Sequence, residues 1–359
     1  MLSLSTRSSR VLLDLHLLVE KLVDGCGAHD NRTLRIRGES CSTMQVGTVK
    51  QIWRYAIKSM AGEQLKECSV GTLGIPGDRG WAIRNETTRE MTTGKAFPLL
   101  MQCGSRYLEA PVNEFVPHAE IRFADGFITT TDHPDVNNIL SERLGKPVTL
   151  WPIQPANNTE HYRRRSKQAR VLGRLAKYRA FRSVLPTITS FGKPNAELRK
   201  MFSRDPGEPI PDISILPPEI VEFTSPPGTY FDAFPINILA TASLDAMARV
   251  NPTAQWDVRR FRPNFLIETD PHIQTLVESE WTGRKLRIGT VELQCDIPTT
   301  RCGMTMHAQE GLPKDPSILR SIVKDANQNL GVYARVAVPG EVRLGDVVEL
   351  IILGAPTKN

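Results

Sequence analysis

A single cysteine stands beside an arginine in Thr299-Thr300-Arg301-Cys302-Gly303-Met304-Thr305, just after a strand-like run, Gly289 to Gln294, and a turn at Pro298. A thiol on a loop leaving a strand is a soft metal ligand or a nucleophile, and a neighbouring guanidinium favours its charged form. A lone cysteine is also often a small buried hydrophobe, so the pattern leaves both readings open. Two further polar pairs stand at strand ends. Lys58-Ser59 closes the β-branched and aromatic run Val46 to Ile57, and Asp78-Arg79 lies in the tight loop Gly74 to Gly80 that feeds Trp81 to Arg84. Lysine, hydroxyl and planar guanidinium donors converging from loop ends are what a phosphate requires. The plainer alternative is a solvated Lys58 and an Arg79 paired with Asp78. Thr241-Ala242-Ser243, after the apolar run Asn237 to Ala240, starts a helix and offers an N-cap and an anion-receptive helix end.

The elements that must hold these residues are mostly short strands. After Met44, runs around Ala119 to Phe123, Phe127 to Thr131 and Val148 to Trp151, with a helix at Val136 to Leu144 and frequent Gly and Pro, suit a small antiparallel sheet or barrel. Residues 152–227 change character. His161-Tyr162-Arg163-Arg164-Arg165 opens a basic helical stretch to about Leu185, with an apolar stripe of Val171, Leu175, Tyr178, Phe181 and Leu185, and a proline-rich segment follows. This stretch is either a docking face for an acidic partner or a solvated basic face. The chain end, Val332 to Leu350, reads as a hairpin that closes a barrel, with turns at Pro339-Gly340 and Gly345-Asp346. The organisation expected is a tail at 1–43, an N-terminal β-barrel domain at 44–151, the basic insertion at 152–227, a second barrel domain at 228–354 and a short tail at 355–359. The fold class is β-rich α+β.

Composition narrows the function. Apolar residues make up 40% of the 359 and charged residues 23%, which suits a globular protein with a real core. The net charge of +6 allows an anionic ligand without requiring nucleic acid, and the basic stretch lacks the interleaved aromatics of a base-stacking surface. Six cysteines without C-x-x-C spacing point to a reducing compartment and away from a zinc or iron–sulfur site. No run is long and apolar enough for a transmembrane segment. A cytoplasmic location follows, or a mitochondrial one if the Ser/Arg-rich start within 1–43 is a targeting segment.

In order and spacing, Tyr55-Ala-Ile-Lys58-Ser59, Gly77-Asp78-Arg79-Gly80-Trp81, Arg260-Phe261-Arg262-Pro263-Asn264, Arg301-Cys302 and the Gly345-Asp346 turn resemble the MOSC family, the proteins related to the C-terminal domain of molybdenum-cofactor sulfurase. The likeness is nearest to the mitochondrial amidoxime-reducing component and its bacterial relatives, and it covers about 44–353. It implies two barrel domains holding a molybdenum–molybdopterin cofactor (Moco). Cys302 is then the metal-binding thiolate, a soft ligand suited to molybdenum. Arg301 helps to keep it deprotonated. The same resemblance makes Lys58, Ser59 and Arg79 phosphate and pterin contacts, Arg262 and Asn264 pterin contacts, and Thr241, Ser243 and Thr300 further cofactor contacts. Arg262, one residue before a proline, is expected to be extended.

The function implied is a molybdenum oxidoreductase acting on a small N-hydroxylated or N-oxide substrate. Its electrons come from an external donor of flavoprotein, ferredoxin or cytochrome b5 type, since the chain stops soon after its second barrel. The alternative is a cofactor or sulfur carrier without turnover. Three features depart from the relatives. Thr299 stands where many of them carry a second cysteine, the loop Met304 to Gly311 lacks their aspartate, and the insertion is longer than in the shorter ones.

Overall fold

The computed structural model describes residues 41–112, 115–166 and 192–353. The tails and most of the basic stretch after Ser166 lie outside them.

Seven strands form a closed barrel. In chain order they are β1 (Cys41–Arg54), β2 (Ile236–Ala240), β3 (Phe265–Glu268), β4 (Lys285–Ile288), β5 (Val291–Thr300), β6 (Asn329–Val338) and β7 (Val347–Leu353). Around the barrel the order is β3-β2-β6-β5-β4-β7-β1, and β1 pairs back onto β3 to close the ring. Only β2 and β3 run parallel among these pairs; the others are antiparallel. Closure removes the exposed edges that an open sheet of this size would carry. Period-two burial builds the interior: Val291, Leu293 and Cys295 of β5 point inward with Leu286, Ile238, Phe265, Val332 and Leu350. Strand β2 is buried at every position. Its Ile236, Ile238 and Ala240 face the barrel, while Leu239 packs outside on Met247, Ile318 and Ile322 of helices Thr241–Val250 and Pro316–Asp325. A strand covered on both faces reads as one apolar run, which is why INILA does not alternate.

The chain end does close the barrel, though not as a hairpin. β6 pairs with β2 and β5, β7 pairs with β4 and β1, and the intervening Gly340–Arg343 pairs with Glu67–Val70. Turn residues signal that the chain reverses; they do not name the strand's partner.

A second core is built from the chain between β1 and β2. Trp81–Asn85 pairs with Glu90–Met91 and Val148–Pro152, and Gly104–Tyr107 pairs with Ala119–Arg122, which pairs with Ile128–Thr130. Ile57, Met60, Trp81, Ile83, Leu100, Ile121 and Leu140 of helix Val136–Leu144 pack between them. The architecture is thus β-rich with few helices, as the sequence predicts. Of the helix expected from His161 to about Leu185, the described residues hold only the start: Thr159–Tyr162 is helical and Arg163 is extended and bridges to Phe223, while the apolar stripe from Val171 to Leu185 lies outside the described residues. None of the described helices is long and apolar enough to cross a membrane.

Candidate cofactor site

Where the two cores meet, a cavity of about 70 Å³ is lined by Lys58, Ser59, Arg79, Arg260, Arg262 and Arg301, with Thr300 and Cys302 at one side. A neighbouring chamber of about 380 Å³ shares Asp232, Thr300, Cys302, Met304 and Tyr333 with it as lining residues. Cys302 reaches this place through an irregularity in β5. The register slips between Pro298 and Thr300, where proline cannot donate to the ladder, and the strand releases Arg301 and Cys302 at the barrel end. A 3-10 turn, Gly303–Met306, follows, and the Cys302 thiol is half-buried.

Asp78 gathers the surrounding segments. Its Oδ1 accepts from the Tyr55 backbone N–H (2.9 Å), and its Oδ2 accepts from Asn264 Nδ2 (3.0 Å) and from Arg79 Nη1. Tyr55 completes the junction: its hydroxyl donates to Pro263 O (2.9 Å), and its ring lies 4.2 Å from the Arg262 guanidinium and 4.8 Å from that of Arg79. Such cation–π contacts are worth about 0.5–2 kcal/mol each, the upper end when desolvated. Three segments far apart in sequence are thereby fixed around one aromatic ring.

Three of the cavity residues carry unusual backbones. Ser59 (φ 71°), Arg79 (φ 55°) and Arg262 (φ 51°) all occupy the left-handed region, which disfavours side-chain-bearing residues. The extended conformation expected for Arg262 from its following proline is therefore not adopted. Strain of this kind persists where surrounding contacts over-determine it, and it clusters at binding sites. The contacts are visible here: Ser59 Oγ accepts from Gly94 N–H (2.9 Å), and Arg262 Nη1 donates to Met60 O.

The cavity is strongly cationic. Five basic residues line it against one carboxylate, Asp232. Lys58 is buried, bonded to Ser225 Oγ (2.9 Å) and paired with Asp232 (2.8 Å), so it is not the solvated lysine of the plainer reading. Burial pulls the Lys58 pKa down; Asp232 opposes the shift, and Arg79 and Arg164 add to it. Burial pushes the Asp232 carboxyl up, but Lys58, Arg79 and Lys95 overcome this and hold it below the usual carboxylate range. Arg262 is pushed down to about 10 by burial, and Arg301 is lowered for the same reason. Arg79 does pair with Asp78, yet it still lines the cavity.

Two guanidinium groups are incompletely bonded. Arg301 donates from Nε to Leu330 O (2.7 Å) and from Nη1 to Phe261 O (2.8 Å), but its Nη2 is buried without a partner. Arg262 Nη2 is in the same state. A buried, unmatched charged donor costs several kcal/mol unless a ligand satisfies it. These nitrogens fit an anionic group, and they are the structural test that a phosphate-bearing pterin cofactor would have to meet.

Other residues singled out from the sequence play different parts. Asn264 is buried with its amide committed internally: Oδ1 accepts from Asn237 N–H and Nδ2 donates to Asp78. Thr300 Oγ1 donates to Asn329 Oδ1 (2.8 Å) at the cavity edge. Thr241 and Ser243 are not brought to this cavity. Thr241 bonds Thr269 (3.1 Å), and Ser243 bonds the buried Glu278, whose other oxygen accepts from Ala240 N–H (2.7 Å). The helix start does receive an anion, but it is the chain's own carboxylate.

Sequence reasoning missed four groups. Tyr55 lay inside a recognised motif without a role of its own. Asp232 was an isolated acid. Tyr333 lines both cavities from β6. Arg204, buried and supplied by the insertion, donates from Nη2 to Arg301 O (2.9 Å) and from Nε to Gln328 Oε1 (3.1 Å), bracing the loop that carries Cys302. No spacing or periodicity marks Arg204 in advance.

Comparison with known proteins finds family models in both parts of the chain. The MOSC N-terminal beta barrel domain matches residues 46–147 and the MOSC domain matches residues 227–349. MOSC domains are linked to molybdenum cofactor binding. Among solved structures, YuaD from Bacillus subtilis is similar at 12% identity, covering 88% of this chain and 98% of its own, with a TM-score of 0.35. YiiM from Escherichia coli is 18% identical over 35% of this chain and 57% of its own, with a TM-score of 0.25. No curated protein matches the chain.

Proposed function

This chain is a MOSC-domain protein with a MOSC N-terminal beta barrel domain ahead of its MOSC domain, and from that premise we propose that it is a molybdenum-cofactor-dependent oxidoreductase that reduces N-hydroxylated or N-oxide compounds with electrons from a separate donor protein. The observation that carries the reading is the pair of unmatched buried guanidinium nitrogens, on Arg262 and Arg301, in a cationic cavity beside the half-buried Cys302 thiol. When bound, the cofactor supplies two-electron oxygen-atom chemistry at molybdenum, and the protein supplies position and charge.

In this reading Lys58, Ser59 and Arg79 hold the phosphate, and Arg262 and Arg301 give their free N–H groups to the pterin's polar edge. Cys302 provides the soft ligand. Asn264 and Tyr55 act one step back, fixing Asp78, Arg79 and Arg262. Reducing a hydroxylated nitrogen to the amine takes two electrons and two protons and releases water. Tyr333 lines the chamber, its hydroxyl has no hydrogen-bond partner among the described residues, and burial keeps its pKa above the ordinary phenol value, so it stays a donor to a substrate oxygen.

The chamber of about 380 Å³ that opens on Cys302 favours turnover over a carrier role, since delivery alone needs no substrate-sized space. The test is oxidation of reduced methyl viologen by the cofactor-loaded protein on addition of benzamidoxime. Sustained, substrate-dependent oxidation is expected. None, from protein with confirmed molybdenum, would favour the carrier.

A further inference from the structure

The outer chamber has a chemistry of its own. Its walls are largely apolar, with Met91, Ala96, Met201, Phe202, Leu216 and Ile220 around it, and the last four come from the insertion. A sphere of its volume is about 9 Å across, the size of a small aromatic compound with a short arm. Four charged residues line it, and three already have a partner. Glu90 accepts from the Arg165 backbone N–H (2.5 Å), Lys95 donates to Met201 O, and Asp232 pairs with Lys58 (2.8 Å).

Arg164 is the exception. Its backbone N–H is fixed on Glu222 O (3.0 Å) and its Nε on Ile220 O (3.2 Å), which sets the plane of the guanidinium. Among the described residues neither terminal nitrogen has an acceptor and Arg164 forms no ion pair, and only the more distant charges of Glu90 and Asp232 act on it. Its neighbours differ: Arg163 pairs with Glu160 and Glu222, and Arg165 pairs with Glu160. The three consecutive arginines are therefore not one outward basic face for a partner. The middle one turns into the chamber.

We propose that this chamber is a specificity pocket for apolar N-oxygenated compounds bearing a carboxylate, with Arg164 as the anchor for that carboxylate and Cys302 at the reacting end. The inference deepens the reductase reading and rests on it. A planar guanidinium held at one nitrogen presents its free edge for two parallel bonds to a carboxylate, a geometry lysine cannot reproduce. The apolar walls weaken competition from water for that contact and accept the rest of the molecule.

An oxyanion on Arg164 has two possible sources, the substrate or the phosphate of the cofactor, and one experiment separates them. The cofactor-loaded protein is titrated calorimetrically with 3-phenylpropanoate and with the uncharged 3-phenylpropanamide, in wild type, Arg164→Gln and Arg164→Lys, with molybdenum measured in each. Roughly tenfold tighter binding of the acid is expected in the wild type. The preference should vanish in Arg164→Gln and be only partly restored in Arg164→Lys, with metal content unchanged. Equal binding of acid and amide by the wild type would overturn the proposal, as would a preference that survives Arg164→Gln. A fall in molybdenum with Arg164→Gln would assign the arginine to the cofactor and overturn it too. Turnover does not enter this readout, so a null viologen assay would count against the reductase reading alone.

Discussion

Replacing Asp78 by asparagine should move two measured quantities in opposite directions. Asp78 and Arg79 are a buried pair, with side-chain exposures of 5% and 13%. In Asp78→Asn, Oδ1 can still accept from Tyr55 N–H, but the new Nδ2 faces two donors, Arg79 and Asn264 Nδ2. One charge of a buried pair is lost while the other stays, which costs about 3–5 kcal/mol. At roughly 2 °C per kcal/mol for a chain of this size, the melting temperature should drop by about 6–10 °C. Anion binding should respond the other way, because the negative charge that partly neutralises the cavity-lining Arg79 is lost. A unit charge removed from within about 8 Å, at an effective dielectric near 20, is worth about 2 kcal/mol, so the Kd for pyrophosphate should fall roughly tenfold or more. Thermal melts and titration calorimetry on cofactor-free protein read both quantities. An unchanged melting temperature, or pyrophosphate binding that is equal or weaker, would refute the account of Asp78 as the counter-charge that organises a cationic anion site.

Further outcomes follow from the same geometry. Among Cys68, Cys103, Cys295 and Cys302, iodoacetamide at pH 8 should label Cys302 first by peptide mapping, because burial pushes the other three thiols up to about 12, 11 and 12 respectively. Arg204→Ala leaves Arg301 O and Gln328 without their donor; it should cost about 1–3 kcal/mol by denaturant unfolding and speed Cys302 labelling in the cofactor-free protein. Burial, and then Arg84, pull the pKa of His161 down to about 4 from 6.5. The unfolded chain therefore takes up a proton that the folded chain refuses, so stability should fall as pH drops from 6.5 to 4, and His161→Gln should flatten that slope in pH-dependent melts.

Some of this site was legible in the sequence because local chemistry wrote it there. Lys58, Arg79 and Cys302 each stand where a strand meets a loop, and barrel closure brings such ends to one place. Thr241 and Ser243 were misplaced because a helix start advertises anion affinity without saying which anion takes it, and buried Glu278 does. Arg262 could not be read from its proline, since the contact with Tyr55 and the bond to Met60 O hold it at φ 51° against the local preference. The partners of β6 and β7, and the brace from Arg204, depend on contacts more than ninety residues apart in places. No periodicity encodes contacts of that kind.

The central claim is that the cationic cavity and Cys302 hold a molybdenum cofactor. The most direct test is molybdenum per chain by elemental mass spectrometry, for wild type, Cys302→Ala and Arg262→Ala, after expression in a host that makes the cofactor. Near-stoichiometric metal in the wild type is predicted, with a clear reduction in both variants that keeps pace with neither's melting temperature. A wild-type protein that carries no molybdenum, despite confirmed cofactor supply, would contradict the account.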